Sequence, residues 1–198
     1  MTRAVILTLG LLLTGLAGVH PSYTASAQGA AAWTTLFDGK SLKGWDVVGD
    51  ANWSVANGEI QANKGSGFLV TPTAYPDFQI TLDFWVTDDA NSGVFIRCSD
   101  PKMITAANAY EVNIFDKRPD QSYRTGGIVD VAKPASVINT GGKWNTYDIT
   151  AQGPKMTVIL NGMKVVDGAE DTKHPDGRVA LQYGAGTVKF RNVRIRKL

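Results

Sequence analysis

The sequence predicts an all-β fold, a two-sheet antiparallel sandwich or jelly roll, on three observations. From Trp33 onward short segments alternate apolar and polar residues, among them FQITLDFWV, SGVFIRC, AYEVNIFD and GRVALQY. Turn clusters separate these segments, and two of them carry the Asn-Gly pair that a two-residue hairpin loop selects, Asn57-Gly58 and Asn161-Gly162. No stretch shows the 3.6-residue period of an amphipathic helix, and no internal repeat or low-complexity linker breaks the series. Many short strands with regular turns bury their apolar faces by packing one sheet on another.

In chain order, NWSVANGEIQAN reads as a hairpin around Asn57-Gly58, and FQITLDFWV, SGVFIRCS, AYEVNIFD, GGIVDVA and WNTYDITAQ as successive strands. KMTVILNGMKVVDG is a second hairpin, GRVALQYG a further strand, and TVKFRNVRIRKL a closing strand whose Arg191, Arg194 and Arg196 suit a charged outer face. SLKGWDV and PKMITAANA read as loops with a helical turn each.

The first residues have a different character. Met1, Thr2 and Arg3 precede an apolar run from Ala4 to Val19, then HPSYTASAQ with an A-x-A site at Ala25, Ser26 and Ala27. This is the pattern of a secretory signal peptide, and the run is shorter than the ~20 residues a membrane span needs. Residues 1–27 are expected to be removed and the protein to be secreted or periplasmic. Of 198 residues, removal of 27 leaves 171, which suits a single domain over 28–198.

The formal charge of +2 falls to +1 with the loss of Arg3, and the basic residues are scattered among carboxylates. That argues against nucleic acid or a membrane surface as partner. Cys98 is the only cysteine, so no intramolecular disulfide forms, and it reads as a small buried hydrophobe. The two histidines are His20, in the leader, and His174, in a loop, which argues against a histidine-based metal site or a Ser/His/Asp triad.

Because successive strand residues face opposite sides, each strand divides by parity. FQITLDFWV places Phe78, Ile80, Leu82, Phe84 and Val86 on the core side and Gln79, Thr81, Asp83 and Trp85 opposite. The same division turns Val94, Ile96 and Cys98 inward with Phe95 and Arg97 outward, and Tyr110, Val112 and Ile114 inward with Glu111, Asn113 and Phe115 outward. GRVALQY gives Val179, Leu181 and Tyr183 inward, Ala180 and Gln182 outward. If these strands are neighbours, one outer face carries Asp83, Trp85, Arg97, Glu111, Asn113 and Gln182. Carboxylates, amides and a guanidinium match sugar hydroxyls, and an aromatic ring matches the C–H face of a sugar. Parity alone fits equally well an ordinary solvated face on which Arg97 and Glu111 pair across strands.

LFDGKSLKGWDV, WSVANGEI, NSGVFIRC, YEVNIFD, TGGIVDVAKP, GKWNTYDITAQG, VILNGMKVVD, GRVALQYG and VKFRNVRIRKL stand together in one order and spacing. From about Trp33 to Leu198 the chain resembles the 3-keto-disaccharide hydrolase domain family, with its concanavalin A-like jelly roll of the lectin/glucanase type. The family's Asn-Ser-Gly, apolar strand and Arg match Asn91, Ser92, Gly93 and Arg97, and its Tyr-Glu, amide and Asp match Tyr110, Glu111, Asn113 and Asp116. Asn113 stands where Gln is more usual and Val129 where Tyr is common, departures that touch specificity.

The resemblance implies cleavage of glycosides whose sugar carries a ketone at C3. That ketone acidifies the C2 hydrogen, so a carboxylate removes it, the C1 group leaves by β-elimination, and water adds to the enone. Strand parity then suggests Glu111 as base or acid, Asp116 or Asp83 as second carboxylate, and Arg97 as the cation facing the enolate oxygen. Asp83, Trp85, Asn91, Asn113 and Gln182 would hold the sugar, and Arg97→Met would spare folding while reducing turnover. No cofactor is demanded, and metal dependence stays open, with Asp88, Asp89, Asp116 and Asp120 as oxygen ligands for a divalent ion if one binds. Two other readings stand beside the enzyme, a non-catalytic carbohydrate-binding module and a protein-interaction domain of the cell envelope. Trp45, Trp53 and Trp144 are read as packing residues.

Overall fold

The computed structural model describes residue 1 and residues 31–198, so apart from Met1 the expected leader lies outside the described residues. The first strands are β1 (Thr34–Thr35), β2 (Asp46–Gly49), β3 (Ser54–Ala56), β4 (Glu59–Ala62) and β5 (Gly67–Ala74). The long central strands are β6 (Phe78–Val86), β7 (Ser92–Cys98) and β8 (Tyr110–Ile114). The chain closes with β9 (Trp144–Gln152), β10 (Lys155–Leu160), β11 (Met163–Glu170), β12 (Arg178–Tyr183) and β13 (Val188–Lys197).

These strands form the predicted two-sheet antiparallel β-sandwich of jelly-roll type. The larger sheet runs β11-β10-β9-β6-β13-β4-β3, with β1 also on β13, and the smaller runs β2-β5-β12-β7-β8. Both hairpin loops use the backbone that selected their residues. Asn57 and Gly58 have φ of 54° and 78°, Asn161 and Gly162 52° and 79°, the paired left-handed conformations of a type I′ turn.

Between the sheets lies one continuous core. Phe78, Ile80, Leu82, Phe84 and Val86 all point into it, as parity predicts, and each stabilises the fold by roughly 1.5–3 kcal/mol of burial. Val94, Ile96, Tyr110, Val112, Ile114, Val179, Leu181 and Tyr183 meet them from the smaller sheet. Tyr147 ties the layers together, its ring 4.8 Å from that of Phe84 and its hydroxyl donating to the Asn113 carbonyl at 2.6 Å.

Three expectations are corrected. GGIVDVA is not a strand but a loop strapped along β8, where Gly126 N–H donates to Asn113 O, Asn113 N–H to Gly127 O, and Val129 N–H to Glu111 O. SLKGWDV ends in β2, and neither it nor PKMITAANA holds a helical turn, whereas Gln121–Tyr123 forms a single 3-10 turn. Most consequential, β6 belongs to the larger sheet while β7, β8 and β12 belong to the smaller, so the two groups have different outer faces.

Candidate functional site

Arg97 does not reach an outer face. Its φ is +54°, and at this point β7 spends an extra residue against β12, pairing Cys98 with Arg178 but Phe95 with Ala180. That bulge reverses parity. Cys98 turns outward into a small cluster with Val70, Phe95, Ile104, Ala109 and Ala180, where burial pushes its thiol up to about 12. Arg97 turns inward at the end of the sandwich, fully buried. Its Nε and Nη2 donate to Pro76 O at 2.9 and 2.6 Å, Nη1 to Gly153 O at 2.8 Å and His174 O at 3.4 Å, and Nη2 also meets Asp77 Oδ1 at 3.2 Å. Beside it Tyr110 Oη donates to Asp171 Oδ1 at 2.7 Å and accepts from His174 N–H at 3.0 Å. The guanidinium is a structural clasp between the ends of the two sheets.

Asp116 is likewise a structural hub. It accepts from Thr125 Oγ1 at 2.6 Å, Thr140 N at 2.6 Å, Thr140 Oγ1 at 3.1 Å and Gly141 N at 3.3 Å, with Arg124 at 3.7 Å. Those contacts occupy its lone pairs and fix the loop after β8. Asp83 and Trp85 face outward from the larger sheet, away from Glu111. Asp83 accepts from Thr146 Oγ1, Arg191 Nε and Asn192 Nδ2, while Lys189 lies over the Trp85 ring.

The remaining four expected residues come together on the outer face of the smaller sheet. Phe95 pairs with Glu111 and Gly93 with Asn113. Leu181 pairs with Val94 and Gln182 with Phe68, so one lateral row runs Phe68, Gln182, Gly93, Asn113 and the next Val70, Ala180, Phe95, Glu111. Asn91 stands at the end of the same face, its carbonyl accepting from Gly184 N–H at 2.9 Å and Ala185 N–H at 3.1 Å. The β7–β8 loop covers part of this face through Ile104 and Ala109. Beside it opens a groove of about 320 Å³ lined by Val48, Phe68, Met103, Ile104, Gln182 and Gly184, within the size range of small-molecule sites.

Gly93 makes room in the middle of the row. A Cβ there would lie 3.3 Å from Glu111 Cγ and 3.4 Å from Glu111 Oε1, so the carboxylate leans over the glycine toward the amides. Asn113 gives its Nδ2 to Tyr123 O, which leaves Oδ1 buried with no hydrogen bond among the described residues. Gln182 Oε1 is in the same condition. Unpaired buried acceptors cost stability, and a donor such as a hydroxyl would satisfy them.

Glu111 is 8% exposed. Burial pushes its carboxyl up to about 7; the Arg118 guanidinium pulls the other way and Asp130 adds to the rise. A carboxyl raised in the folded state binds protons more tightly than in the unfolded chain, so its stabilising effect is full at acid pH and is lost as pH rises from about 4.5 through about 7. Glu111→Gln is therefore expected to raise stability over wild type by up to about 3 kcal/mol at pH 8 and by little at pH 4, as read by denaturant unfolding. An equal effect at both pH values would refute the burial account.

Phe68, Phe95, Gly93 and Arg118 escaped the site reading. Phe95 was on the correct face by parity; Phe68, whose ring meets that of Phe95 edge-on at 5.3 Å, belongs to β5, which has no tight turn linking it to β7. Among the described residues no group of three or more His, Cys, Asp or Glu is placed to hold a metal ion. Asp120 caps the 3-10 turn through Ser122 N–H, and Asp88 packs against Gly141.

The sequence pattern of the 3-keto-alpha-glucoside-1,2-lyase-like domain matches residues 32–196. Among curated proteins none matches the chain. Two solved structures from Parabacteroides distasonis ATCC 8503, both provisionally described as glycosyl hydrolases, are similar. One has 28% identity and a TM-score of 0.70, covering 84% of this chain and 100% of its own. The other has 24% identity and a TM-score of 0.74, covering 84% and 94%. The carbohydrate binding module CBM66 from Bacillus subtilis shares the fold at 20% identity and a TM-score of 0.61, covering 85% and 98%.

Proposed function

The chain belongs to the 3-keto-alpha-glucoside-1,2-lyase-like domain family, a carbohydrate-active family, and from that premise we propose that it is an exported enzyme cleaving 3-keto glycosides at the smaller sheet's outer face. The carrying observation is Glu111, a buried carboxyl held near neutral pKa over Gly93, beside the unpaired acceptors of Asn113 and Gln182. A general base is most effective when its pKa lies near the working pH.

In this reading Phe68 and the groove beside it receive the sugar's C–H face, and Asn113 Oδ1 and Gln182 Oε1 accept from its hydroxyls. Ionised Glu111 takes the C2 proton. The C2–H electrons form the enolate with C3, then the C1=C2 bond as the C1–oxygen bond breaks. Glu111, now protonated, gives its proton to the departing oxygen. Water adds to C1 of the enone and C2 regains a proton, which completes hydrolysis.

Incubation with a 3-keto glucoside carrying a chromogenic aglycone tests this. The enzyme reading predicts release; binding without release would favour the carbohydrate-binding module instead.

Gly93→Ala sharpens the test. The added methyl crowds the Glu111 carboxylate and the Val112 carbonyl, each near 3.3 Å, while Gly93 has no positive φ to strain. Turnover is expected to fall by about tenfold or more with folding retained. Unchanged kinetics would remove Glu111 from above Gly93 as the working geometry.

A further inference from the structure

Resting on that reading, we propose that Arg118 is a second catalytic residue of the site, its guanidinium binding the sugar's C3 oxygen as negative charge gathers there. When Glu111 takes the C2 proton, the C–H electron pair becomes a C2–C3 π bond and the carbonyl pair moves onto the C3 oxygen. That oxygen needs a cation in a water-poor place. Arg97 is enclosed in its clasp and cannot supply it.

Arg118 has the required position and freedom. The chain after β8 folds back over the outer face, because Asn113 Nδ2 donates to the Tyr123 carbonyl. The Arg118 backbone is fixed within that fold-back, its N–H donating to Phe115 O and its carbonyl accepting from Gln121 Nε2. Its charge acts on Glu111, and the other charged group acting there is Asp130.

Its side chain is also uncommitted. Among the described residues Arg97, Arg124, Arg178 and Arg191 lie within ion-pair distance of carboxylates, and Arg194 and Arg196 lie over Trp33. Arg118 has none of these contacts, and its Nε is buried with no hydrogen-bond partner there. A buried donor of this strength without an acceptor costs stability unless a bound group fills it. An oxygen acquiring negative charge beside Glu111 is such a group.

Arg118→Met and Arg118→Lys test this on two reactions, release of aglycone from a 3-keto glucoside and exchange of the C2 hydrogen of 3-keto-glucose in D2O, which needs no leaving group. The expected result is a kcat about 10²–10³-fold lower in Arg118→Met on both, KM within about threefold, and partial recovery in Arg118→Lys. Loss of the positive charge also moves the acid limb of the pH profile to higher pH, because Arg118 holds the Glu111 carboxyl down. Unchanged kcat in Arg118→Met, with wild type active, overturns the role of Arg118 alone. Wild-type exchange that depends on Arg118, without cleavage, supports Arg118 and refutes the glycoside reading. Absence of both reactions in wild type refutes both.

Discussion

Glu111→Gln is expected to lower kcat on a 3-keto glucoside by about 10²–10⁴-fold, the usual contribution of a positioned acid or base, while leaving sugar binding within severalfold. Gln keeps the shape of Glu111 and leaves the Asn113 and Gln182 oxygens free for the sugar's hydroxyls. It cannot take a proton from carbon. In wild type the base is the ionised form, so kcat/KM rises with pH through about 7, the value to which burial lifts the carboxyl. That rise disappears in the variant. Because the same burial makes the charge costly to the folded chain, the variant that loses activity gains stability in alkaline buffer, a pairing expected where a site is kept strained for function.

The second large effect is on folding. Arg97→Met is expected to lower unfolding free energy by about 3 kcal/mol, because a buried and multiply hydrogen-bonded guanidinium is removed, measured by urea or guanidinium titration. Three carbonyls, from Pro76, Gly153 and His174, lose the donor that joins the ends of the two sheets, and Asp77 loses its partner. A Met in place of Arg97 also inherits its φ of +54°, which a non-glycine residue holds only when its surroundings enforce it. Arg97→Lys keeps the charge but not the planar fork that reaches separate carbonyls, so it recovers only part. A fully stable Arg97→Met would return Arg97 to the ligand-binding surface.

Arg97 also shows where sequence reasoning stops. The alternation in β6, β8 and β12 is unbroken, and every residue assigned to their inner faces lies in the core. In β7 the alternation is equally regular on paper, but one extra residue before Cys98 exchanges the faces of Arg97 and Cys98. No glycine, proline or asparagine marks the bulge, because the feature that creates it is the clasp itself, built from Pro76, Gly153 and His174 far away in sequence.

Sheet membership is a second limit. Parity places Asp83 and Trp85 outward, which is correct, but an outward residue belongs to whichever sheet its strand joins, and long-range pairing decides that. Glu111, Asn113, Gln182 and Asn91 were legible because β7, β8 and β12 are neighbours. Arg118 was not, since it follows β8 in an irregular loop with no period to place it. Asp116 was drawn into the site by its motif, although its oxygens serve the backbone of Thr140 and Gly141.

The measurement that most directly tests the account is the isotope content at C2 of 3-keto-glucose released by wild type in D2O, read at early times against Glu111→Gln and an enzyme-free control. Abstraction at C2 by Glu111, elimination and hydration predict that the released sugar carries deuterium at C2 and that the variant releases almost none. Release of sugar that keeps its original C2 hydrogen, or release undiminished in the variant, would contradict it.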